Sequence, residues 1–542
     1  MSFVKHIHSF PLILILALAS LWYFIPDKAA LYGCERVKEF EAFQLAEAAI
    51  IKQEEHSIRI EKVSSEYDIL YSLNGGGDFK VLNDDALTFS ELSNAKIELK
   101  STAIRWKHPE SGLPFFTNLV IVANKKGTSE YSNTKIFNHP SSFDSKLDAV
   151  CITINESDLF DWSKGAMIYG KSSEEDEGFY KEWWYRSANF TERGKTWKKK
   201  VNFQFFQNSA MVLNQDCGFK ISGNASRYFP QKSMKLYANK DYGTKNFKYN
   251  FWKNQGIKKS KTLLLRNSGN DNSRTMFCDL ALQNLAAKSN LLTQKGKPVH
   301  VFLNGRYWGI YNLRERIDQN FVAQKENCQK EDVTILYCEV YGDRSILRDG
   351  SSKEKEKFDR LIESLPKQEA LDKGSYGRIG TEIDLLSFTD YIIFETYYAN
   401  NDWLHNNVTW YKVKGGKWKW ILNDLDVTLT YPGDQNLKVN MFEKLKNSSS
   451  YTSILFSALI SNVDFKNKFK KRVKQILSTH LSENSINREF KKMRSEYEED
   501  IHYQIKRWRG ISNMDIWESN VDENLEFLLN RKAIYLEQVN SL

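Results

Sequence analysis

The sequence predicts an α+β protein, and three observations carry that reading. Short strand-like runs separated by Gly, Asn, Ser and Pro recur through the first two thirds of the chain. Two aromatic and β-branched runs, TWYKV from Thr409 and WKWIL from Trp418, flank Gly415-Gly416 and read as a hairpin. From Met441 onward apolar residues keep helical spacing, as Phe465, Phe469, Val473 and Ile476 do with lysines opposite them.

Composition sets the bounds. A chain of 542 residues, 41% hydrophobic and 13% aromatic, can bury large cores and is not disordered. Its net charge of +9, from 77 Lys+Arg against 68 Asp+Glu, suits anionic ligands or a membrane surface. No long Lys/Arg run marks a nucleic-acid arm. Six scattered cysteines include no Cys-x-x-Cys pair, so neither a zinc site nor a dithiol is indicated, although an exported chain could form one or two disulfides.

Taken in order, Lys5 precedes an apolar run, 10–25, shorter than the roughly 20 residues of a comfortable span. Signal peptide and short uncleaved anchor both fit. The aromatics Trp22, Tyr23 and Phe24 favour a signal-anchor at a membrane interface, with the rest on the exported side, periplasm or cell surface, or secreted if cleaved. Sequons overlap the motifs below, where a glycan would block them, which favours a bacterial chain without N-glycans. Residues 1–30 are thus the targeting segment, and 31–145, with SIRIEKV, YDILYSL, KIELKSTAIRW and TNLVIVANK, a small β-sandwich-like domain. Residues 146–440 hold the chemistry, and 441–542 a helical completion of it.

Within 146–440, AVCITI and VNFQFF read as strands. CGFKISGNASRYFPQKSMKLYA reads as strand, small-residue turn and a second strand carrying Lys232 and Lys235. Backbone N–H groups of such a turn can meet phosphate, and a strand lysine can reach the same oxygens. TLLLRNSGNDNSRTMFCDLALQNL gives a strand, a polar loop and a helix with one apolar face, and VHVFLNGRYWGIYNLRE a hairpin around Asn304-Gly305 ending at Glu315. IDLLSFTDYIIFETYYANN reads as a buried helix delivering a polar loop. That loop holds Asp402 and Asn407, and the hairpin 409–422 should bring them beside Asp424 and Asp426. An Asp, an Asn five residues on, and a second Asp after a short hairpin is the spacing with which protein kinases hold Mg²⁺ and phosphate.

Across its separated blocks the chain resembles the CotH (spore-coat protein H) kinase family: ISGNASRYFPQKSMKLY, LLLRNSGNDNSRTMFCDLALQNL, VHVFLNGRYWGIYNLRERID, ANNDWLHNNVTWY and WKWILNDLD, in order over about 149 to 542. The resemblance implies an atypical two-lobed, secretory-type kinase fold that uses ATP and Mg²⁺ or Mn²⁺ to phosphorylate secreted or surface proteins. It makes Asp402 the catalytic aspartate, Asn407 and Asp424 metal ligands with Asp426 an additional one, and Lys235, with Lys232 as rival, the phosphate-pairing lysine. Ser226 and Arg227 would lie over the phosphates, Glu315 near the nucleotide, and Arg266 and Asp279 would form supporting ion pairs. Asn400-Asn401 stands where His-Arg would precede the aspartate, and no Ala-Pro-Glu segment follows, so an activation-loop switch is not expected. The expected partners are ATP, a secreted or envelope protein and the membrane, with no nucleic acid. A catalytically silent scaffold or adhesin, and a metal-dependent phosphodiesterase on Asp402, Asp424 and Asp426, are the competing readings.

Overall fold

The computed structural model describes residues 41–542 apart from 55–56, 76–77, 90–100, 141–142, 175–185, 253–258, 339–343, 367–369, 405 and 433–435. The apolar run 10–25, much of the expected strand 96–106, most of the acidic stretch 172–178, which reads from the sequence as an insertion, and His405 of the polar loop lie outside the described residues. Among those described, no helix is long and apolar enough to cross a membrane. Cys151, Cys217, Cys278, Cys328 and Cys338 are all free thiols.

The chain is α+β throughout. At its N-terminal side, a sheet built on Tyr67–Leu73 and Thr117–Lys125 faces a smaller one of Ala49–Gln53, Ser57–Lys62 and Ala86–Thr88. Alternation places Ile58, Ile60 and Leu87 of the small sheet in one core with Ile69, Leu119, Ile121 and Phe137 of the large one.

A closed barrel follows, and its closure is the main feature the sequence did not disclose. Its strands run Asp148–Thr153, Lys199–Gln207, Ala210–Ile221, Met234–Tyr237, Thr262–Arg266, Arg306–Glu315 and Gly296–Leu303, which returns to the first. All neighbours are antiparallel except the closing pair, where Asp148–Thr153 lies parallel to Gly296–Leu303. Inward positions such as Phe203, Phe219, Leu236, Leu263, Leu265 and Leu313 fill the interior. The opposite parity builds an outer face. Lys220 pairs with Lys235, Lys235 with Leu264, and Leu264 with Arg314, so these side chains share one row, and Arg266 stands two places along from Leu264 on the same face.

Helix Cys278–Ala286 covers part of that face. Asp271 fixes its start, accepting from Thr275 N, Thr275 Oγ1 and Cys278 N at 2.9, 2.7 and 3.0 Å. Beyond it, a five-stranded sheet runs Leu292–Thr293, Lys419–Leu422, Thr409–Val413, Val333–Tyr337 and Ile346–Asp349, with the expected hairpin at its centre. Helix Leu385–Tyr397 packs on this sheet, Phe388 lying against Trp420 at a centroid distance of 4.7 Å, and six helices from Met441–Lys446 to Met514–Asn540 enclose it. Ile501–Trp508 ties them back to the barrel, Gln504 Oε1 accepting from Ile310 N at 2.8 Å and Trp508 Nε1 donating to Trp308 O at 2.8 Å.

One buried ion pair fixes helix Leu385–Tyr397, and hence the loop at its end. Asp390, fully buried, receives Arg472 in two bonds of 2.6 and 2.8 Å from helix Val463–Ser478. Arg472→Ala leaves that carboxylate buried without its cation and should cost about 3 kcal/mol in urea unfolding. Arg472→Met with Asp390→Asn should lose clearly less; equal losses would mean that the pair does not carry the contact.

Candidate active site

The site is assembled where helix Leu385–Tyr397 ends and the central hairpin opens. Ala399, with φ +53°, turns the chain out of the helix. The buried Asn400 then holds the loop in two directions. Its Nδ2 donates to Glu395 Oε2 at 2.8 Å, and its Oδ1 accepts from Asp402 N at 3.2 Å. Asp402 Oδ2 in turn accepts from Asn406 Nδ2 and Asn407 Nδ2 at 2.8 and 2.9 Å. Lys444, from helix Met441–Lys446, donates to Asn401 O at 2.7 Å and sets a positive charge beside Asp402.

Across the hairpin Thr409 faces Ile421, so the same register carried outward sets Asn407 against Asn423, next to Asp424. Both Asn407 and Asp424 adopt φ +61°, a left-handed conformation that Asn and Asp tolerate better than other side chains. Arg266 Nη2 then bridges the two aspartates, at 2.5 Å from Asp424 Oδ1 and 2.6 Å from Asp426 Oδ2. Its Nε lies 3.5 Å from Asp279 Oδ2, and Asp279 is also clamped by Arg314. Asp279 Oδ1 accepts from Leu425 N and Gln283 Nε2, each at 2.9 Å, so this helix residue holds the segment between the two aspartates by its backbone.

Asp424 and Asp426 are not equivalent. Asp426 is buried, and both its oxygens are engaged, Oδ2 by Arg266 and Asn270 N, Oδ1 by Asn270 Nδ2 at 3.2 Å. Gly269, at φ +57°, passes so close that a Cβ there would collide with Asp426 Oδ2. Asp424 is one-third exposed, and its Oδ2 makes no hydrogen bond among the described residues. One oxygen of Asp424 is thus free of hydrogen bonds among the described residues, whereas both oxygens of Asp426 are engaged.

Charge is crowded here. Burial and then the charge of Asp424 raise the Asp402 carboxyl, against the bonds from Asn406 and Asn407 and the charge of Lys444. Burial and then Asp424 likewise raise Asp426, more than Arg266 lowers it. Asp279 is held far below the carboxylate range, because Arg314 and Arg266 together outweigh its burial. Three carboxyl groups, those of Asp279, Asp424 and Asp426, thus share two guanidinium groups, and Asp402 adds a fourth acidic group beside them.

The residues expected over the phosphates divide. Lys232, fully buried, donates to Arg227 O and Phe229 O at 2.6 and 3.2 Å, and Arg227 to Gly223 O and Phe190 O at 2.7 and 2.9 Å. Both staple the turn Ala225–Tyr228, with Ser226 half-buried inside it. Lys235 remains on the outer barrel face with no ion pair among the described residues. Burial, then Arg316, Arg227 and Lys220, lower it to about 7. Glu315 ends its strand buried, its carboxylate bonded to Lys325 at 2.9 Å and to Lys295 N at 2.9 Å.

Fold and site together define a barrel-plus-helical α+β protein with a carboxylate cluster at a hairpin mouth. A family model described as CotH kinase protein matches residues 219–535, more than half of the chain, and the chain belongs to that family. The match begins inside strand Ala210–Ile221, later than the resemblance read from about 149. No curated protein matches the chain.

Several contributors have a larger place in the site than the sequence suggests, or were not singled out in it. Arg266 and Asp279, expected only as supports, occupy the centre of the cluster. Glu395 lies in a helix read as core, and only the Asn400 that follows five residues later hints that it has a partner. Lys444 comes from another helix, and nothing local in the sequence announces it.

Glu395 generates a test. Burial raises its carboxyl to about 8, so it carries its proton at neutral pH. A folded pKa above the unfolded one gives stability that is full below the unfolded value, about 4.3, and is lost as pH rises through about 8. Urea unfolding across that window should show the wild type weakening toward alkaline pH, and Glu395→Gln weakening less. An unchanged or steeper alkaline loss in the Gln variant contradicts a protonated Glu395.

Proposed function

We propose that this chain is an exported, membrane-anchored atypical protein kinase that transfers the γ-phosphate of ATP to serine or threonine of envelope or surface proteins. The observation that carries the reading is the mutual placement of Asp402, Asn407 and Asp424 at one hairpin mouth under a cationic barrel face. Membership of the family implies ATP and a divalent metal in general; the export, the acceptor and the anchoring are this reading's own extensions. In it, the barrel with helix Cys278–Ala286 acts as the smaller lobe, and the five-stranded sheet with its helices as the larger.

Protein kinases pair a cation on the third strand with an acid on the following helix. Counted from Ala210–Ile221, the third strand here is Thr262–Arg266, and its Arg266 meets Asp279 of the next helix. Arg266 and Asp279 therefore take that structural role, and Lys235, one strand away on the same face, is the cation left open for phosphate oxygens. The depressed pKa of Lys235 supports an anion site, since a bound phosphate would restore its charge.

The donor set fits a hard cation. Among the described residues no three His, Cys, Asp or Glu converge on a metal position, and Mg²⁺ is commonly bound by one or two carboxylates plus substrate phosphates. Asp424 through Oδ2 and Asn407 through its amide oxygen would hold it, and the ion would offset phosphate charge. Asp426 acts by fixing Arg266 and the turn at Gly269. Asp402, oriented by Asn406 and Asn407, accepts a hydrogen bond from the acceptor hydroxyl, aligns it for in-line attack and takes its proton. Lys444 holds the loop at Asn401 and keeps positive charge beside Asp402.

Incorporation of labelled phosphate from ATP with Mg²⁺ or Mn²⁺, into the protein itself or envelope extract, tests this. Asp402→Asn and Asp424→Asn should each lower the rate about 10³-fold, and Lys235→Met should act mainly by raising KM for ATP. Absence of labelling by the wild type, with no nucleotide-induced thermal shift, would favour the silent scaffold.

A further inference from the structure

The seam between the barrel and helix Ile501–Trp508 holds a buried polar cluster that takes no part in the site above. Its centre is His300, fully buried on strand Gly296–Leu303. Nε2 of the ring lies 3.4 Å from Oδ1 of Asp500, the residue just before the helix, and 3.2 Å from Ser145 Oγ, in the segment that enters the barrel. Nδ1 lies 3.1 Å from Tyr307 OH on the neighbouring strand. Asp500 and Tyr307 are only 5% and 3% exposed.

These bonds assign the proton of the neutral ring. Ser145 donates its own hydrogen to Asp500 Oδ2 at 2.7 Å, so Nε2 meets two acceptors and carries the N–H. Nδ1 is left to accept from the Tyr307 hydroxyl. A second proton on the ring lands on Nδ1 and displaces that hydroxyl, which has no other acceptor among the described residues.

The charges around the ring do not reverse this. Asp500 draws a proton to His300 and His502 repels one, but burial is the largest effect and lowers His300 below the ordinary histidine value. Burial also raises Asp500, yet His300 and Ser145 outweigh it and hold that carboxyl below its usual range, so it stays ionised while the histidine titrates. Lys146 is paired with Glu499 and Lys297 with Asp148, each at 2.5 Å; Arg507 stands near the Tyr307 hydroxyl, and the Tyr503 ring packs against His300.

The same helix reaches the active site through side-chain bonds. Gln504 Nε2 donates to Gln231 Oε1 at 2.6 Å, Asn267 Nδ2 to Gln231 O at 2.5 Å, and Gly269 N to Asn267 Oδ1 at 3.0 Å. Gly269 is the residue that abuts Asp426.

We propose that this seam is an acid-sensitive latch: protonation of His300 frees helix Ile501–Trp508 from the barrel and loosens the loop at Gly269 that supports Asp426. A base that takes its proton less readily in the folded chain gives stability that is full above its unfolded value, about 6.5, and is lost as pH falls through the folded one. The latch does not depend on phosphotransfer, and its test reads backbone opening alone.

The measurement is hydrogen exchange of the full-length protein, corrected for the intrinsic rate at each pH. From about pH 7.5 to about pH 5, protection over 501–508 should fall about tenfold, with a smaller fall over 267–272, while helix Val463–Ser478 keeps its protection. His300→Gln keeps a donor for Asp500 but takes no second proton, and should lose the step; His502→Gln should retain it. Should His300→Gln be unprotected at both pH values, Tyr307→Phe decides, because it removes the hydroxyl to be displaced and should shrink the step. Unchanged protection in the wild type, a step that survives His300→Gln or is undiminished in Tyr307→Phe, a step lost in His502→Gln, or an equal loss in helix Val463–Ser478 would each overturn the proposal.

Discussion

The bridge from Arg266 to Asp424 and Asp426 is the interaction on which the site depends. Two carboxylates on a three-residue segment cannot stay close in a partly dry interior unless a cation lies between them. The guanidinium supplies it through one nitrogen, at 2.5 and 2.6 Å. That arginine needs its own support, because burial alone would lower its pKa; Asp424, Asp426 and Asp279 together raise it instead. The chain Arg314–Asp279–Arg266–Asp424 thus runs from barrel to helix, back to the barrel, and into the hairpin mouth.

The rest of the fold holds this chain in register. A closed barrel has no free edge along which its strands can slip, so Arg266 and Arg314 keep fixed positions on one outer face. Asp271 sets the start of helix Cys278–Ala286 and so the height of Asp279 above that face. On the other side, Asp390 and Arg472 lock the helix that delivers Asp402, and Glu395 with Asn400 fixes how the loop leaves it. A neutral Glu395 suits this place: an ionised carboxylate there would add to the charge of Asp424 and Asp402.

Much of the site was legible because its geometry is local. The Gly-Gly turn and the aromatic strands 409–413 and 419–422 determine a hairpin, and a hairpin by itself sets residue 407 opposite 423. The rest depends on contacts distant in sequence. Lys235 drew attention as a lysine on a strand after a small-residue turn, whereas the ion pair to the next helix belongs to Arg266, and only strand order reveals that. Lys232 looked equivalent to Lys235, yet it sits inside the fold, bonded to backbone carbonyls of its own turn. Closure of the barrel by the parallel pair Asp148–Thr153 and Gly296–Leu303 joins strands nearly 150 residues apart, and no periodicity encodes it. Lys444 is hidden for the same reason.

If the chain is a kinase as proposed, the free oxygen of Asp424 holds a cation whose coordination phosphate must complete. The direct measurement is Mn²⁺ binding by electron paramagnetic resonance, with and without ATP, in the wild type and in Asp424→Asn. Mn²⁺ alone should bind weakly and clearly more tightly when ATP is present, and the variant should lose that coupling. Tight Mn²⁺ binding without nucleotide, or coupling that survives Asp424→Asn, would contradict this reading.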